Sequence, residues 1–174
     1  MANATATELQ QLYIAYFGRA ADPTGLDYWT TKGTSTALFA ATMHAQGEFA
    51  SVKALDEAAQ VNLIYQNLFD RDADATGLLY WVGEIKSGNL SVASIANDLI
   101  YAVNNSTGGT AAEIALRAND KTALTNKTNA AVAYTAKVRE STAAILAYAP
   151  ASSSPWVAGD NITAAKTYFD GIDK

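Results

Sequence analysis

The chain contains an internal repeat, and no other feature of the sequence constrains the fold as strongly. When the 174-residue sequence is shifted by 52 positions, ten of the 17 residues from 13 to 29 meet an identical residue, against roughly one expected from composition. The repeated residues of the first copy are Tyr13, Phe17, Arg19, Ala21, Asp22, Thr24, Gly25, Leu26, Tyr28 and Trp29. The same structural unit is therefore expected twice.

Each copy has the sequence pattern of three helices. The first carries apolar residues at i, i+3, i+4, i+7 and i+8, starting at Leu9 or Val61, which is the stripe of an amphipathic helix. The second is expected to begin at an N-cap aspartate, Asp22 or Asp74. The third follows a glycine-containing turn.

A glycine follows each N-cap aspartate by three residues, Gly25 in one copy and Gly77 in the other. Glycine inside a helix costs up to about 1 kcal/mol relative to alanine. Because both copies accept this cost, we expect the two glycines to pack closely against another backbone.

The composition favours helices throughout. The chain has 36 alanines, three prolines and no cysteine, and alanine is the best helix former whereas proline breaks helix interiors. We predict an all-α fold, a compact domain of about eight or nine helices. It comprises a first repeat at residues 1–52, a second repeat at residues 53–103 and a C-terminal helical extension at residues 104–174 that packs on the repeats.

Two local predictions concern the extension. A helix from Ile114 to about Tyr148 is expected to break near Asn126 to Asn129, and a short amphipathic helix is expected after Asp160 or Asn161.

Charge and hydropathy exclude several classes of partner. Twelve basic and 17 acidic residues give a net charge of −5, which lacks the basic footprint needed to bind nucleic acid. No apolar run approaches the roughly 20 residues needed to cross a bilayer, so no transmembrane segment is expected. The first residues lack the basic and apolar regions of a secretory signal, and export without an N-terminal signal peptide is expected.

Few residues could support catalysis. The chain has no cysteine and one histidine, His44, which lies in an apolar helical pattern and is expected to be a surface or packing residue. A glycosidase would need a carboxylate pair at a fixed separation, and no spacing in the sequence singles one out. The sequence therefore predicts a protein that is not an enzyme.

Alternating aspartates in the second copy resemble the start of a calcium loop. Asp70, Asp72 and Asp74 have this spacing, but the glycine and the closing glutamate of an EF-hand are not at their usual positions. Calcium is thus the one cofactor considered, and none is required. The alternative is a capping Asp74 beside two solvated carboxylates.

Arginines and aromatic residues are the candidates for contact with a ligand. Arg19 and Arg71 occupy equivalent turns, where each could bond the carbonyls of the preceding helix, pair with the capping aspartate or touch a ligand. Adjacent helical residues diverge by about 100°, so if the tryptophans face the core, Tyr28 and Tyr80 lie near the surface. Trp156, in a loop, is either an anchor to the core or a contact residue.

The repeated motif resembles a bacterial domain of unknown function, DUF4214. The segments that carry the resemblance are Leu12-Tyr13, Phe17-Gly18-Arg19, Asp22-Pro23-Thr24-Gly25-Leu26, Tyr28-Trp29 and Gln46-Gly47-Glu48-Phe49. It covers residues 8 to 103 as two copies, and the second copy lacks the closing Glu-Phe. Residues 104–174, including Leu124-Thr125-Asn126-Lys127, resemble the segment that follows such repeats in large surface proteins.

The resemblance implies a cellular context. Similar domains occur in large secreted bacterial proteins with calcium-binding glycine-rich repeats (RTX proteins), in haemolysin-like proteins and in surface-layer (S-layer) proteins exported by type I secretion. The chain thus looks like the N-terminal region of such a protein, of cyanobacterial type, located outside the cell at its surface.

Two functions follow as hypotheses. The first is a non-catalytic module that anchors a surface-layer protein to the outer membrane by binding lipopolysaccharide or another polysaccharide through Arg19, Tyr28, Arg71, Tyr80 and Trp156. The alternative is a structural module that assembles with copies of itself in a lattice or with another protein.

Overall fold

A computed structural model describes residues 2–141 and Lys166. Residues 2–141 form eight α-helices and one 3₁₀ turn and contain no strand, so the fold is all-α. The helices are α1 (Ala6–Phe17), α2 (Pro23–Lys32), α3 (Thr36–Ala45), α4 (Ala50–Lys53), α5 (Glu57–Phe69), α6 (Ala75–Lys86), α7 (Ile95–Asn105) and α8 (Ala111–Arg139). The 3₁₀ turn, Gly47–Phe49, precedes α4.

The repeat appears as two successions of three helices. The first unit consists of α1, α2 and α3, and the second of α5, α6 and α7. Helices α1 and α5 pack against each other at the centre, and α8 packs across both. The two units and α8 therefore share one apolar core.

The two central helices, α1 and α5, both end at a residue in the left-handed conformation, and in α5 this residue is Asp70. Helix α1 ends at Gly18, which adopts the left-handed conformation at φ 61°. Helix α5 ends in the same way at Asp70, with φ 56°, and no other non-glycine among the described residues has a positive φ. Aspartate tolerates this conformation better than most residues with a side chain. Asp70 is thus the C-cap of α5.

The second helix of each unit begins as predicted. Asp22 and Asp74 are the N-caps of α2 and α6, and their carboxylates accept the backbone N–H groups of Gly25 and Gly77 at 2.6 and 2.9 Å. Pro23 occupies the first turn of α2, where its missing N–H costs no helical hydrogen bond.

The prediction that the two glycines pack against another backbone is wrong. A Cβ on Gly25 would lie 2.6 Å from the hydroxyl oxygen of Tyr13, and a Cβ on Gly77 would lie 3.0 Å from that of Tyr65. The nearest neighbours after these hydroxyls are the carboxylates of the capping aspartates. A tyrosine hydroxyl and a capping carboxylate occupy the space of a side chain at Gly25, and the same two groups leave little room at Gly77.

The predicted break of the C-terminal helix is also wrong, because α8 runs unbroken from Ala111 to Arg139. Asn126 and Asn129 face solvent, so their amides do not compete with the backbone inside the fold. The buried stripe continues through the whole region at helical spacing: Asp120, Ala123, Leu124, Lys127, Thr128, Ala131, Thr135 and Val138. This stripe holds α8 against the repeats.

Two predictions lie outside the described residues, the helix after Asp160 or Asn161 and the placement of Trp156. Among the residues that are described, no helix has both the length and the apolar character required to span a bilayer.

Candidate functional site

A buried ion pair closes the first unit. Arg19, in the turn between α1 and α2, donates from Nε and Nη2 to the two carboxylate oxygens of Glu48, each at 2.8 Å. Only 2% and 3% of the two side chains are exposed. Nη1 of Arg19 donates to the carbonyl of Ala20, and the ammonium of Lys166 lies 3.4 Å from Glu48. Arg19 therefore ties the 3₁₀ turn to the start of α2.

The second unit contains the same arrangement, but its carboxylate comes from α8. Arg71 donates from Nε and Nη2 to the two oxygens of Asp120, each at 2.7 Å, and from Nη1 to the carbonyl of Asp72. The third helices of the two copies align at a shift of 56 positions. At this shift, the second copy has Asn104 where Glu48 stands in the first. Helix α8 thus supplies the carboxylate that the second copy lacks.

Both arginines have a structural role that differs in detail from the one expected. The capping aspartates are secondary partners, at 3.8 Å for Arg19 and Asp22 and 3.6 Å for Arg71 and Asp74. The main partner of each arginine is a carboxylate distant in sequence. Each arginine also donates a hydrogen bond to a backbone carbonyl, which belongs to its own turn and not to the preceding helix. Each guanidinium also lies over the tyrosine ring of its own unit.

A cavity of about 390 Å³ opens beside the Arg19–Glu48 pair. Its size falls in the range of small-molecule sites, about 300–1,000 Å³. Elements α1 and α2, the end of α3 and the 3₁₀ turn line it with aromatic, apolar and polar side chains: Tyr13, Phe17, Arg19, Asp22, Thr24, Gly25, Tyr28, Trp29, Met43, Gln46 and Glu48. The exposed lining is mainly apolar, four of the lining residues are aromatic, and a few polar groups stand among them, which is typical of a ligand site.

Two aromatic residues of α2 stand at this cavity in different ways. Tyr28 is 55% exposed, whereas Trp29 is half-buried and packs edge-to-face on Phe39. The ammonium of Lys32 lies 5.0 Å over the Trp29 ring and donates to the Tyr28 hydroxyl at 3.2 Å. In the second unit, Tyr80 is likewise exposed and Trp81 half-buried. In each pair the tyrosine is therefore the exposed member, as expected if the tryptophans face the core.

The structure brings only some of the candidate binding residues together. Arg19 and Tyr28 line the cavity, whereas Arg71 and Tyr80 belong to the second unit and do not. Sequence reasoning gave no role to Gln46, to Glu48 or to Asp120. Gln46 and Glu48 belong to the closing segment of the motif, and this segment could have indicated that they lie near Arg19. No sequence pattern indicated Asp120.

The structure does not place Asp70, Asp72 and Asp74 as a calcium cage. Asp70 caps α5, Asp74 caps α6, and Oδ1 of Asp72 accepts hydrogen bonds from Asn62 and Gln66. Within the described part of the chain, no group of three potential ligands is arranged to hold a metal ion. Asp74 is thus the capping aspartate that the alternative expects, whereas Asp70, expected to be solvated, is a second cap and Asp72 is held by two side-chain amides.

His44 packs against the core without reaching the cavity. Its ring lies 5.3 Å from that of Phe49, and its partial burial, helped by the charge of Lys53, lowers its pKa below the usual value for histidine.

Burial raises the pKa of the Asp22 carboxyl, although Arg19 and the N–H of Gly25 act in the opposite direction. A raised pKa in the folded state means that folding favours the protonated form, so the contribution of Asp22 to stability improves as the pH falls toward the acid range. We therefore expect the capping oxygen of Asp22 to contribute more to stability at neutral pH than its negative charge does.

This argument predicts a difference between two substitutions of Asp22. Asp22→Ala removes the cap and should lower the free energy of unfolding by about 1 kcal/mol, whereas Asp22→Asn keeps a capping oxygen without the charge and should not lower it at pH 7. Urea unfolding of both variants measures the difference, with Asp74→Ala and Asp74→Asn as the exposed counterparts. Equal losses for the two Asp22 variants would show that the charge itself is needed.

Comparison with known families identifies part of the chain. Residues 40–106 match the model of a domain of unknown function (DUF4214), so this segment is similar to a DUF4214 domain. The match runs from within α3 through the second unit to the end of α7. Searches of curated proteins and of solved structures gave no match.

Proposed function

We propose that this protein is a non-catalytic module that anchors a surface-layer-type protein to the outer membrane by binding lipopolysaccharide or a related polysaccharide. The observation that carries the proposal is the aromatic cavity of the first unit, with the exposed ring of Tyr28 at its side. The module then acts outside the cell, at its surface.

The lining of the cavity suits a sugar residue. A pyranose has an apolar C–H face that packs on an aromatic ring, and hydroxyl groups that need hydrogen-bond partners. Tyr28 and Trp29 offer the rings, while Thr24 and Gln46 offer hydroxyl and amide groups at the same cavity. Such a mixture of aromatic wall and few polar groups fixes the orientation of a ligand.

A binding role also fits the hydrogen bonds of the two carboxylates at the cavity, Asp22 and Glu48. Glu48 accepts both of its strong hydrogen bonds from Arg19, and Asp22 accepts the N–H of Gly25. Acid–base hydrolysis of a glycoside needs two carboxyl groups able to reach the sugar. In this cavity, both serve the protein's own structure.

The direct test is retention of the purified protein on lipopolysaccharide, smooth against O-antigen-deficient, with calcium and with a chelator. We expect retention on the smooth form alone and independence of calcium. Equal retention on both forms would show that the protein binds lipid A or the core sugars instead of the O-antigen. No retention on either form would refute polysaccharide binding.

Tyr28→Ala should weaken binding of a soluble O-polysaccharide fragment by about five- to thirty-fold, because one good aromatic contact contributes about 1–2 kcal/mol. Tyr80→Ala is the matched control, since Tyr80 has nearly the same exposure in the second unit and lies away from the cavity. Isothermal titration with a monovalent fragment measures both. An equal loss for Tyr80→Ala would mean that the site is not confined to the first unit.

The second candidate is assembly of a surface-layer lattice through contacts between copies. It is favoured by an exposed apolar surface on α6, which includes Leu79 at 76% exposure.

A further inference from the structure

Helix α6 presents an apolar face that the other described residues leave open. None of its residues is fully buried, and it packs mainly against α5. Leu79 and Tyr80 are 76% and 57% exposed, and Gly83, one turn further on, faces solvent with no described atom within 4 Å of the place of a Cβ. Thr76 and Lys86 are exposed on the same side.

The equivalent face of the first unit carries different chemistry. The residue that corresponds to Leu79 is Asp27, whose carboxylate pairs with Arg139 at the end of α8. Helix α8 thus contacts α2, while the equivalent leucine on α6 remains in water. The difference matters because a large exposed leucine on a helix typically contacts a partner when it belongs to a wider apolar face.

We infer that α6 pairs in antiparallel orientation with α6 of a second copy of this chain. In a two-fold contact the same face meets itself. If the two-fold axis crosses the open face of α6 midway between Leu79 and Gly83, Leu79 of one copy lies opposite Gly83 of the other, and the reverse contact repeats on the far side of the axis. The missing side chain of Gly83 leaves room for that leucine, and Tyr80 flanks the contact.

The charges at the two ends of α6 fit this orientation. The start of the helix carries Asp72 and Asp74, and its last turn carries Lys86. Antiparallel pairing with Leu79 opposite Gly83 places Lys86 opposite Thr76 of the second copy, two residues after Asp74 and four after Asp72, whereas parallel pairing would place like charges together. The antiparallel helix macrodipoles also attract. A second copy of the chain is therefore a better match than an apolar peptide without charges.

The test is sedimentation equilibrium of the whole chain from about 10 µM to about 1 mM, because a contact of one short helix per copy gives weak association. We expect a reversible monomer–dimer equilibrium, and Leu79→Lys should lower its association constant at least ten-fold. Asp27→Lys, at the equivalent position of the first unit, should leave it unchanged. A monomer over the whole range would overturn the proposal and leave the face to a different partner.

Substitutions of Gly83 separate specific pairing from general stickiness. Gly83→Leu adds apolar surface, so indiscriminate hydrophobic association should become stronger, whereas the pairing proposed here should become at least ten-fold weaker because the added side chain fills the space for Leu79. The position is open in the monomer, and helix propensity favours leucine over glycine, so the thermal midpoint of the diluted protein should not fall. Stronger association of this variant would overturn the proposal.

Lys86→Glu supplies the test of orientation. It should weaken the dimer at low salt, and the double substitution Asp72→Lys with Lys86→Glu should restore it. A double variant as weak as the single one would rule out the antiparallel arrangement.

Discussion

Arg19→Met should lower the free energy of unfolding by about 3 kcal/mol, because removing one partner of a buried ion pair leaves the other charge without compensation. The partner left behind is Glu48, whose side chain is 3% exposed and whose two oxygens both accept from the guanidinium. The nearby ammonium of Lys166 places the expected loss at the lower end of the range for such pairs. Urea denaturation at pH 7 measures the effect.

Two further variants separate the buried pair from its surroundings. Arg19→Met combined with Glu48→Met removes both charges and should recover much of the loss, since an apolar pair of similar volume can replace a buried ion pair. Arg139→Met is the matched surface control, because Arg139 makes the same two-pronged contact with Asp27 in the open and should lose at most about 1 kcal/mol. A loss below that of Arg139→Met would contradict the structural role of Arg19.

Gly25→Ala should lower the free energy of unfolding by about 2 kcal/mol, although alanine normally stabilises a helix relative to glycine. The new Cβ would lie 2.6 Å from the Tyr13 hydroxyl oxygen and less than 3 Å from both oxygens of Asp22. Neither neighbour yields easily, since the Tyr13 ring is packed against Phe17 and the Asp22 carboxylate holds the cap of α2.

The second unit again provides the control. A Cβ on Gly77 would lie 3.0 Å from the Tyr65 hydroxyl and 3.2 Å from Asp74, which is itself largely open to solvent. Gly77→Ala should therefore change stability by no more than about 1 kcal/mol in either direction. Adding Tyr13→Phe to Gly25→Ala removes the closest atom and should recover part of the loss. A double variant as unstable as Gly25→Ala alone would contradict the role given to the Tyr13 hydroxyl.

Local features of the fold could be predicted from sequence because their causes are local. The N-caps Asp22 and Asp74 act on backbone groups three residues away, and the helical stripes depend on spacing alone. The contacts of the arginines could not be predicted in the same way. Glu48 lies 29 residues from Arg19 and Asp120 lies 49 residues from Arg71, so only the folded chain brings them together.

The errors have the same origin. An asparagine-rich stretch from 126 to 129 has the composition of a helix break, but a continuous buried stripe on the opposite side of α8 holds the helix together. The duplicated glycines correctly indicated a close approach, yet the identity of the approaching atom depended on where Tyr13 and Tyr65 lie in the assembled unit. The candidate site was predicted in part. Arg19 and Tyr28 were candidate residues and line the cavity, whereas Gln46 also lines it but was not a candidate.

Binding of a polysaccharide in the cavity of the first unit can be tested by NMR titration of the ¹⁵N-labelled protein with an O-polysaccharide fragment. We expect the resonances of Thr24, Tyr28, Gln46 and the Trp29 indole N–H to shift, while those of Tyr80 and Trp81 stay in place. Shifts confined to the second unit, or none at saturating fragment, would contradict it.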